Sequence, residues 1–158
     1  MNPASRMRMN LPIINAYIGV EDDTMAHGRI LIVEDQNITA LDIRRTLQEF
    51  GYDPVGPVVS GKDAVMSALT NRPDVILMDI ILKGPMDGID TAQVIQSQYR
   101  CPVIYVTAHS DQSMLDRAKV TEPSGYILKP INEQELYVAI EMALYRHRKA
   151  GSDSGPAS

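Results

Sequence analysis

Four short apolar runs, separated by segments with helical spacing, dominate the pattern of this chain. The runs are Ile30–Val33, Val75–Met78, Val103–Val106 and Tyr126–Leu128. They do not alternate polar with apolar residues, so both faces of each strand must be covered, which is typical of a parallel sheet. A further segment, Asp53–Val59, contains two prolines that a central strand would not accept. We therefore expect that segment at an edge of the sheet.

Between the apolar runs, hydrophobic residues recur at the spacing of helix faces. Three such faces are Ala40, Ile43, Leu47 and Phe50; Ile89, Ala92 and Ile95; and Leu136, Ala139, Ile140, Ala143 and Leu144. Strand and helix alternate over five rounds, which predicts an α/β doubly wound fold with a parallel sheet. Asn132, followed three residues later by Glu135, predicts the N-cap of the last helix.

The two ends of the chain lack these patterns. Residues 1–28 show no sustained period, and the chain closes with "GSDSGPAS". We expect a mostly disordered extension over 1–28, one domain over 29–148 and a disordered tail over 149–158. A length of 158 residues suits one domain with a full core. Because so little chain follows the last helix pattern, we expect output through protein–protein contact and no DNA-binding domain.

Composition narrows the function classes further. The net charge of −5 argues against a nucleic-acid binder, which would show a basic face. The single cysteine, Cys101, cannot form an internal disulfide and fits a reducing cytoplasm. No stretch approaches the roughly 18 apolar residues that cross a membrane. We therefore expect a cytoplasmic protein that binds neither DNA nor a membrane.

Polar side chains follow the predicted central strands where each strand ends. They are Glu34 and Asp35, then Asp79, Thr107 and Lys129. Ligands of open parallel sheets sit beyond the carboxyl ends of the strands, so these groups should share one rim. Three acids, a hydroxyl and an amine are the parts of a magnesium-dependent phosphoryl site.

Each of these residues also has an ordinary structural interpretation. Glu34 and Asp35 could be a helix N-cap pair, and Thr107 could be strand core. Lys129 could be a solvated surface lysine, and Asp79 a turn residue at a strand end. None of these interpretations requires partners at the other strand ends, whereas a phosphoryl site requires all of them.

The order and spacing of the polar residues resemble the response-regulator receiver domain, the CheY-like fold. The gaps are 44 residues from Asp35 to Asp79, 28 to Thr107 and 22 to Lys129. The segments "ILIVED", "PDVILMDI", "MDGID", "CPVIYVTAHSD" and "GYILKPI" carry the resemblance over roughly residues 29–148. It implies a flavodoxin-like, five-stranded parallel sheet of order 2-1-3-4-5 flanked by five helices. That order places the proline-bearing strand at the edge.

The resemblance implies a two-component signalling switch and not a metabolic enzyme. Its only catalysis would be phosphoryl transfer to itself and slow autodephosphorylation. Asp79 would accept a phosphoryl group from a sensor histidine kinase or a histidine phosphotransfer protein of a phosphorelay. Mg²⁺ would be held by Asp35, Asp79 and the backbone carbonyl of Ile81, with Glu34 acting mainly through water. The downstream partner would be a protein, and a phosphorylation-dependent homodimer is compatible with this arrangement.

The remaining roles also follow from the resemblance. Lys129, which precedes Pro130 in an implied cis peptide, would neutralise a phosphoryl oxygen. Thr107 would donate its hydroxyl to the attached phosphoryl group, and Tyr126 would swing inward as Thr107 moves. The residues best located to hold a hydrolytic water are Ile81 and His109. Because Ile81 cannot form side-chain hydrogen bonds, we expect a long-lived phosphoryl form.

Three alternatives compete with this interpretation. A phosphatase of the haloacid-dehalogenase type would want an acid two residues after the nucleophile, where this chain has Ile81. A flavodoxin-like cofactor binder needs a phosphate-cradling loop where this chain has the acidic "VEDQN". A phosphorylation-independent binding module on the receiver scaffold remains the alternative.

One loop departs from the family pattern. In "DIILKGPMDG", Lys83 occupies the place where most family members have proline, Pro85 lies two residues later, and one extra residue precedes Gly88. We expect the loop after the third strand to differ in shape from the common form, which affects contacts to a kinase partner and not Asp79.

Overall fold

The computed structural model describes residues 27–153, and the side chains of residues 27–151. The predictions for residues 1–26 and 154–158 lie outside this described part. Within it, strands and helices alternate in the order β1 (Arg29–Val33), α1 (Asn37–Glu49), β2 (Asp53–Val58), α2 (Gly61–Asn71), β3 (Val75–Met78), α3 (Gly88–Gln98), β4 (Val103–Thr107), α4 (Gln112–Val120), β5 (Gly125–Leu128) and α5 (Glu133–Asp153).

The five strands form one parallel sheet in the order β2-β1-β3-β4-β5. This confirms the predicted order, including the proline-bearing strand β2 at an edge. The ladder between β1 and β2 is irregular between Leu31 and Val33, beside the Gly56–Pro57 step of β2. Proline has no backbone N–H to donate to a strand ladder, so it costs the fewest hydrogen bonds in an edge strand whose register is already interrupted.

Both faces of the central strands are buried, as the unbroken apolar runs predict. Ile30 and Ile32 of β1 point into the core on the side of α1 and α5, which contribute Leu47 and Ile140. Leu31 and Val33 point into a second core, shared with residues of α2, α3 and α4. The sheet is thereby fixed from both sides, which makes its carboxyl-terminal rim a rigid platform.

The last helix begins where predicted and ends later than predicted. The side-chain oxygen of Asn132 accepts a hydrogen bond from the backbone N–H of Glu135 at 2.9 Å, which is the expected cap. The helix continues to Asp153, beyond the predicted boundary at residue 148. Lys149 and Ala150 favour helix, so the helix extends past its last core contacts. In residues 27–153, no helix has the length and apolar character to cross a membrane.

The start of the domain also differs from the predicted boundary. The backbone N–H of His27 donates to the carbonyl of Gly51 at 3.1 Å, and the carbonyl of Gly28 accepts from the N–H of Asp53 at 2.8 Å. These two residues, predicted to belong to the extension, are therefore tied to the connection between α1 and β2.

Helix α3 begins in direct contact with the strand end that carries Asp79. The N–H of Gly88 donates to the carbonyl of Ile80 at 2.6 Å, and a Cβ atom at Gly88 would lie 2.0 Å from the carbonyl oxygen of Asp79. Asp87 caps the helix by accepting from the N–H of Asp90, and it pairs with Arg117 of α4 at 2.8 Å. Only glycine allows this close approach of helix to strand.

We expect Gly88→Ala to destabilise the fold by about 1–3 kcal/mol, because the added methyl group must displace backbone and cannot displace a flexible side chain. The measurement is the free energy of unfolding in denaturant. Gly151→Ala is the matched control, since a Cβ atom there meets nothing within 4 Å. Equal stability of the Gly88 variant and the control would show that the contact with Asp79 is not tight.

Candidate functional site

The carboxyl ends of four strands bring the predicted polar residues to one rim. A cavity of about 120 Å³ opens there, lined by Asp35, Gln36, Asp79, Ile81, Ala108, His109 and Lys129. Glu34 and Thr107 lie at the same rim but are buried, at 2% and 0% exposure. The cavity is small, and the Asp79 side chain at the end of the central strand β3 lines it although Asp79 is only 6% exposed.

Three carboxylates crowd this rim. Oxygen atoms of Glu34, Asp35 and Asp79 all lie within 4.8 Å of one another. Asp79 follows β3 directly, and its backbone N–H donates to the carbonyl of Val33 at 2.9 Å, so its position is set by the sheet. Carboxylate oxygens beside an open cavity are the ligands that a hard divalent cation such as Mg²⁺ prefers, so the donor set fits that ion.

Lys129 links two of the three acids. Its ammonium group lies 2.8 Å from Oε1 of Glu34 and 2.9 Å from Oδ2 of Asp79. The backbone N–H of Lys129 donates to the carbonyl of Thr107 at 2.9 Å, and the Lys129–Pro130 peptide is cis. The lysine therefore points into the site and not into solvent, as the resemblance implied.

Burial and neighbouring charges shift the pKa values of Glu34 and Lys129. Burial, followed by the hydrogen bond to Asp79, raises the pKa of Glu34 to about 8. Burial lowers the pKa of Lys129, but its hydrogen bonds to Glu34 and Asp79 outweigh that effect and leave the pKa above its ordinary value. The ammonium group therefore stays charged, and the Glu34 carboxyl is the group that holds a proton near neutral pH.

The direct pair between Glu34 and Lys129 was missed by sequence reasoning. The adjacent acids suggested equivalent roles, whereas Glu34 is buried and Asp35 is only half-buried. A signal was available, because an acid that follows a fully buried strand needs a cation, and Lys129 is the base at the end of β5 on the same rim. Gln36, which lines the cavity, was also not singled out.

Thr107 and Tyr126 are both connected to the loop between β4 and α4. The hydroxyl oxygen of Thr107 accepts from the N–H of His109 at 3.4 Å, and the hydroxyl of Tyr126 donates to the carbonyl of His109 at 2.6 Å. The ring of Tyr126 packs on that of Tyr105 with centroids 6.0 Å apart. A shift of this loop would therefore change the hydrogen bonds of both side chains.

Ile81 and His109 flank the cavity from two loops. Ile81 is 45% exposed, and its backbone N–H lies 3.4 Å from Oδ1 of Asp79. His109 is exposed and also lines the cavity. The loop after β3 therefore contributes an apolar side chain to the lining of the cavity, and the loop after β4 contributes a polar one.

Comparison with known proteins agrees with this geometry. The family model for the response regulator receiver domain matches residues 30–141. The transcriptional regulatory protein PdtaR of Mycobacterium tuberculosis is 36% identical over 128 residues, which cover 80% of this chain and 62% of that protein. The chain thus spans less than two thirds of the length of this relative.

Solved receiver domains share the fold. The signal receiver domain of a modulated diguanylate cyclase from Desulfovibrio desulfuricans is 36% identical, with a TM-score of 0.75, covering 78% of this chain and 98% of that one. The signal receiver domain of a putative Luxo repressor protein from Vibrio parahaemolyticus is 26% identical, with a TM-score of 0.73, covering 82% and 98%. This chain belongs to the response regulator receiver domain family of two-component signalling.

Proposed function

We propose that Asp79 accepts a phosphoryl group from a histidine kinase or a histidine phosphotransfer protein, and that this charge change is the signal. The observation that carries the proposal is the Asp79 carboxylate at the mouth of an open cavity, held 2.9 Å from the Lys129 ammonium group and flanked by two more acids. The receiver domain is proposed to have residues 29–148 as its main part, which His27, Gly28 and the end of α5 extend on either side.

The transfer is a displacement at phosphorus. One carboxylate oxygen of Asp79 forms a new bond to phosphorus, and the P–N bond of the donor phosphohistidine breaks. The electron pair of that bond stays on the imidazole nitrogen, so no oxidant or reductant takes part. Because such transition states mainly require charge to be dispersed, the Lys129 ammonium group contributes by turning from the Asp79 carboxylate toward a phosphoryl oxygen.

The metal role rests on the donor set. Glu34, Asp35, Asp79 and the backbone carbonyl of Ile81 would hold Mg²⁺, with water as the remaining ligands. When bound, the cation supplies positive charge beside the phosphoryl oxygens. Glu34 is buried and already paired with Lys129, so its part in holding the ion is through water or through loss of its proton.

The readout is proposed to run through the loop that Thr107 and Tyr126 share. A phosphoryl group on Asp79 offers an acceptor to the Thr107 hydroxyl, which then withdraws from its contact at the His109 backbone. Tyr126 is hydrogen-bonded to the carbonyl of His109 and therefore moves with the loop. The two arrangements of the loop are in equilibrium, and phosphorylation shifts that equilibrium. A phosphorylation-dependent homodimer is one form of output that the shifted arrangement would support.

Signalling in the cytoplasm through a downstream protein is proposed as the output. The net charge of −5 gives no general attraction to DNA. The mycobacterial relative carries the name of a transcriptional regulatory protein, and the matched region covers 62% of its length.

Incubation with acetyl phosphate and Mg²⁺ should add one phosphoryl group, and Asp79→Asn should abolish the addition, because an amide is not a nucleophile toward phosphorus. Intact mass spectrometry measures the adduct. Asp42→Asn is the matched control: it removes an exposed carboxylate of α1 that pairs only locally with Arg45, and it should label normally. Chelation of Mg²⁺ should suppress labelling.

Equal labelling of the Asp79→Asn variant would overturn the assignment of the acceptor. Labelling that survives chelation would overturn the metal role. A wild-type chain that folds but takes no phosphoryl group from any donor would favour the phosphorylation-independent binding module.

The lifetime of the phosphoryl form should depend on Ile81. Hydrolysis needs a water placed in line with the bond to Asp79, and the Ile81 side chain offers no hydrogen bond to such a water. We expect Ile81→Asn to accelerate phosphate loss several-fold, measured as first-order decay in excess Mg²⁺. Val120→Asn, at a 72% exposed site on α4, makes the same chemical change elsewhere and should leave the decay unchanged. An unchanged or slower decay in the Ile81 variant would show that this position does not limit hydrolysis.

A further inference from the structure

A larger cavity opens at the edge of the sheet opposite to Asp79. Its volume is about 560 Å³, and its walls come from the end of α3, the α3–β4 connection, the α4–β5 connection and the second half of α5. Both connections enter their strands at the amino ends, whereas Asp79 and Lys129 follow carboxyl ends. The two cavities share no lining residue. We call the larger one the amino-end cavity.

The amino-end cavity is basic although the chain as a whole is acidic. The net charge of the chain is −5. The cavity is nevertheless lined by the guanidinium groups of Arg100 and Arg146 and by the imidazole of His147, against the single carboxylate of Glu122. Two guanidinium groups that border one space repel each other unless an anion lies between them.

In the described part of the chain, no carboxylate forms an ion pair with either arginine, and Glu122 is no exception. The Arg146 side chain donates only to backbone carbonyls, from Nη2 to Ser124 at 2.8 Å and from Nε to Met142 at 3.3 Å. The exposed Arg100 side chain donates to none of the described residues. The whole Arg100 guanidinium group and Nη1 of Arg146 are therefore available to a ligand.

The arginines also have an ordinary structural interpretation. Helices α3 and α4 end beside the cavity, and the free carbonyls at helix ends attract cations. Arg146 fits that interpretation in part, since it donates to the carbonyl of Ser124 just before β5. Arg100 does not, because its side chain donates to no carbonyl of the described residues. Arg100 is thus the residue that distinguishes a ligand site from a capped connection.

We propose that the amino-end cavity binds a phosphate monoester with an uncharged organic body, of the size of a nucleoside monophosphate. Two guanidinium groups call for two negative charges, and a phosphate monoester carries nearly two at neutral pH. The planar fork of arginine matches the oxygens of a phosphate group. His147 adds an N–H donor in either protonation state of its ring.

The rest of the amino-end cavity suits the organic body of such a ligand. Pro102 and Val120 contribute apolar surface, and Gln96 contributes an amide that can both donate and accept hydrogen bonds. A volume of about 560 Å³ lies within the range of small-molecule sites, about 300–1,000 Å³. A bare phosphate ion would leave this apolar surface uncovered, so we expect the body to contribute to affinity.

Isothermal titration of the full chain with adenosine 5′-monophosphate (AMP) tests the proposal. The buffer contains EDTA and no Mg²⁺, so that metal at the other cavity plays no part. We expect a single site with a Kd between about 10 µM and about 1 mM. Adenosine, inorganic phosphate and the dicarboxylate succinate should each bind at least about tenfold more weakly, because each lacks the body or the phosphate group.

Arg100→Glu should weaken AMP binding at least about tenfold, because it replaces the unpaired guanidinium group with a charge that repels phosphate. Arg45→Glu is the matched control. Arg45 is an exposed arginine of α1 that pairs only locally with Asp42, so its variant should bind AMP like the wild type. The unfolding free energy of both variants shows whether the fold is retained.

Amide chemical shifts of the wild type locate the ligand independently of any variant. Saturating AMP should shift the N–H signals of Arg100, Thr121 and His147, and it should leave those of Asp35 and Asp79 in place. The proposal is also separable from phosphoryl acceptance, since Asp79→Asn should bind AMP like the wild type.

Four results would overturn the proposal. No binding of AMP at 10 mM would remove the site, and shifts confined to Asp35 and Asp79 would assign the ligand to the other cavity. Adenosine that binds as tightly as AMP would show that the phosphate group is not recognised. Succinate or inorganic phosphate that binds as tightly as AMP would show attraction to any anion and no site for a monoester.

Discussion

Repulsion among the three carboxylates at the carboxyl-terminal rim of the sheet is the constraint on which the rest of the site depends. Their oxygens lie within 4.8 Å of one another, and two of the three side chains are buried. Like charges at that separation in a region of low dielectric are costly unless a cation or a proton intervenes. Lys129 supplies the cation from the end of β5, and Glu34 retains the proton.

The fold provides the rigidity that this arrangement needs. A sheet covered on both faces holds β1, β3, β4 and β5 in fixed register, so the three acids cannot move apart to relieve their mutual repulsion. The contact of Gly88 with the carbonyl of Asp79 closes the site from the side of α3. In the resting state, Lys129 and the Glu34 proton offset the repulsion among the three carboxylates. Binding of a divalent cation or attachment of a phosphoryl group then changes the electrostatic energy of the site with small movements.

Much of this could be predicted from the sequence, and the remainder has identifiable physical reasons. Unbroken apolar runs gave the buried parallel strands, and the prolines of β2 gave its edge position. The rim residues followed from the strand ends. The different burial of Glu34 and Asp35 could not be predicted, because it depends on which way each side chain leaves the sheet. The continuation of α5 to Asp153 was missed because Gly151 and the small polar residues after it are typical of a disordered tail. The exposure of Met142 and Tyr145 required knowing which side of the helix the core occupies.

The most direct test of the account is the unfolding free energy as a function of pH, with and without saturating Mg²⁺, for the wild type and Glu34→Gln. The Glu34 carboxyl, facing Asp35, Asp79 and Lys129, has a pKa of about 8 when folded against an ordinary value of 4.5. Its proton therefore stabilises the metal-free fold fully below pH 4.5, and that contribution is lost as the pH rises through about 8, with a slope of at most about 1.4 kcal/mol per pH unit. Without Mg²⁺, the wild type should lose stability relative to Glu34→Gln over this range. With Mg²⁺, the difference should flatten, because the cation replaces the proton among the carboxylates. The same pH dependence in both conditions would contradict the account.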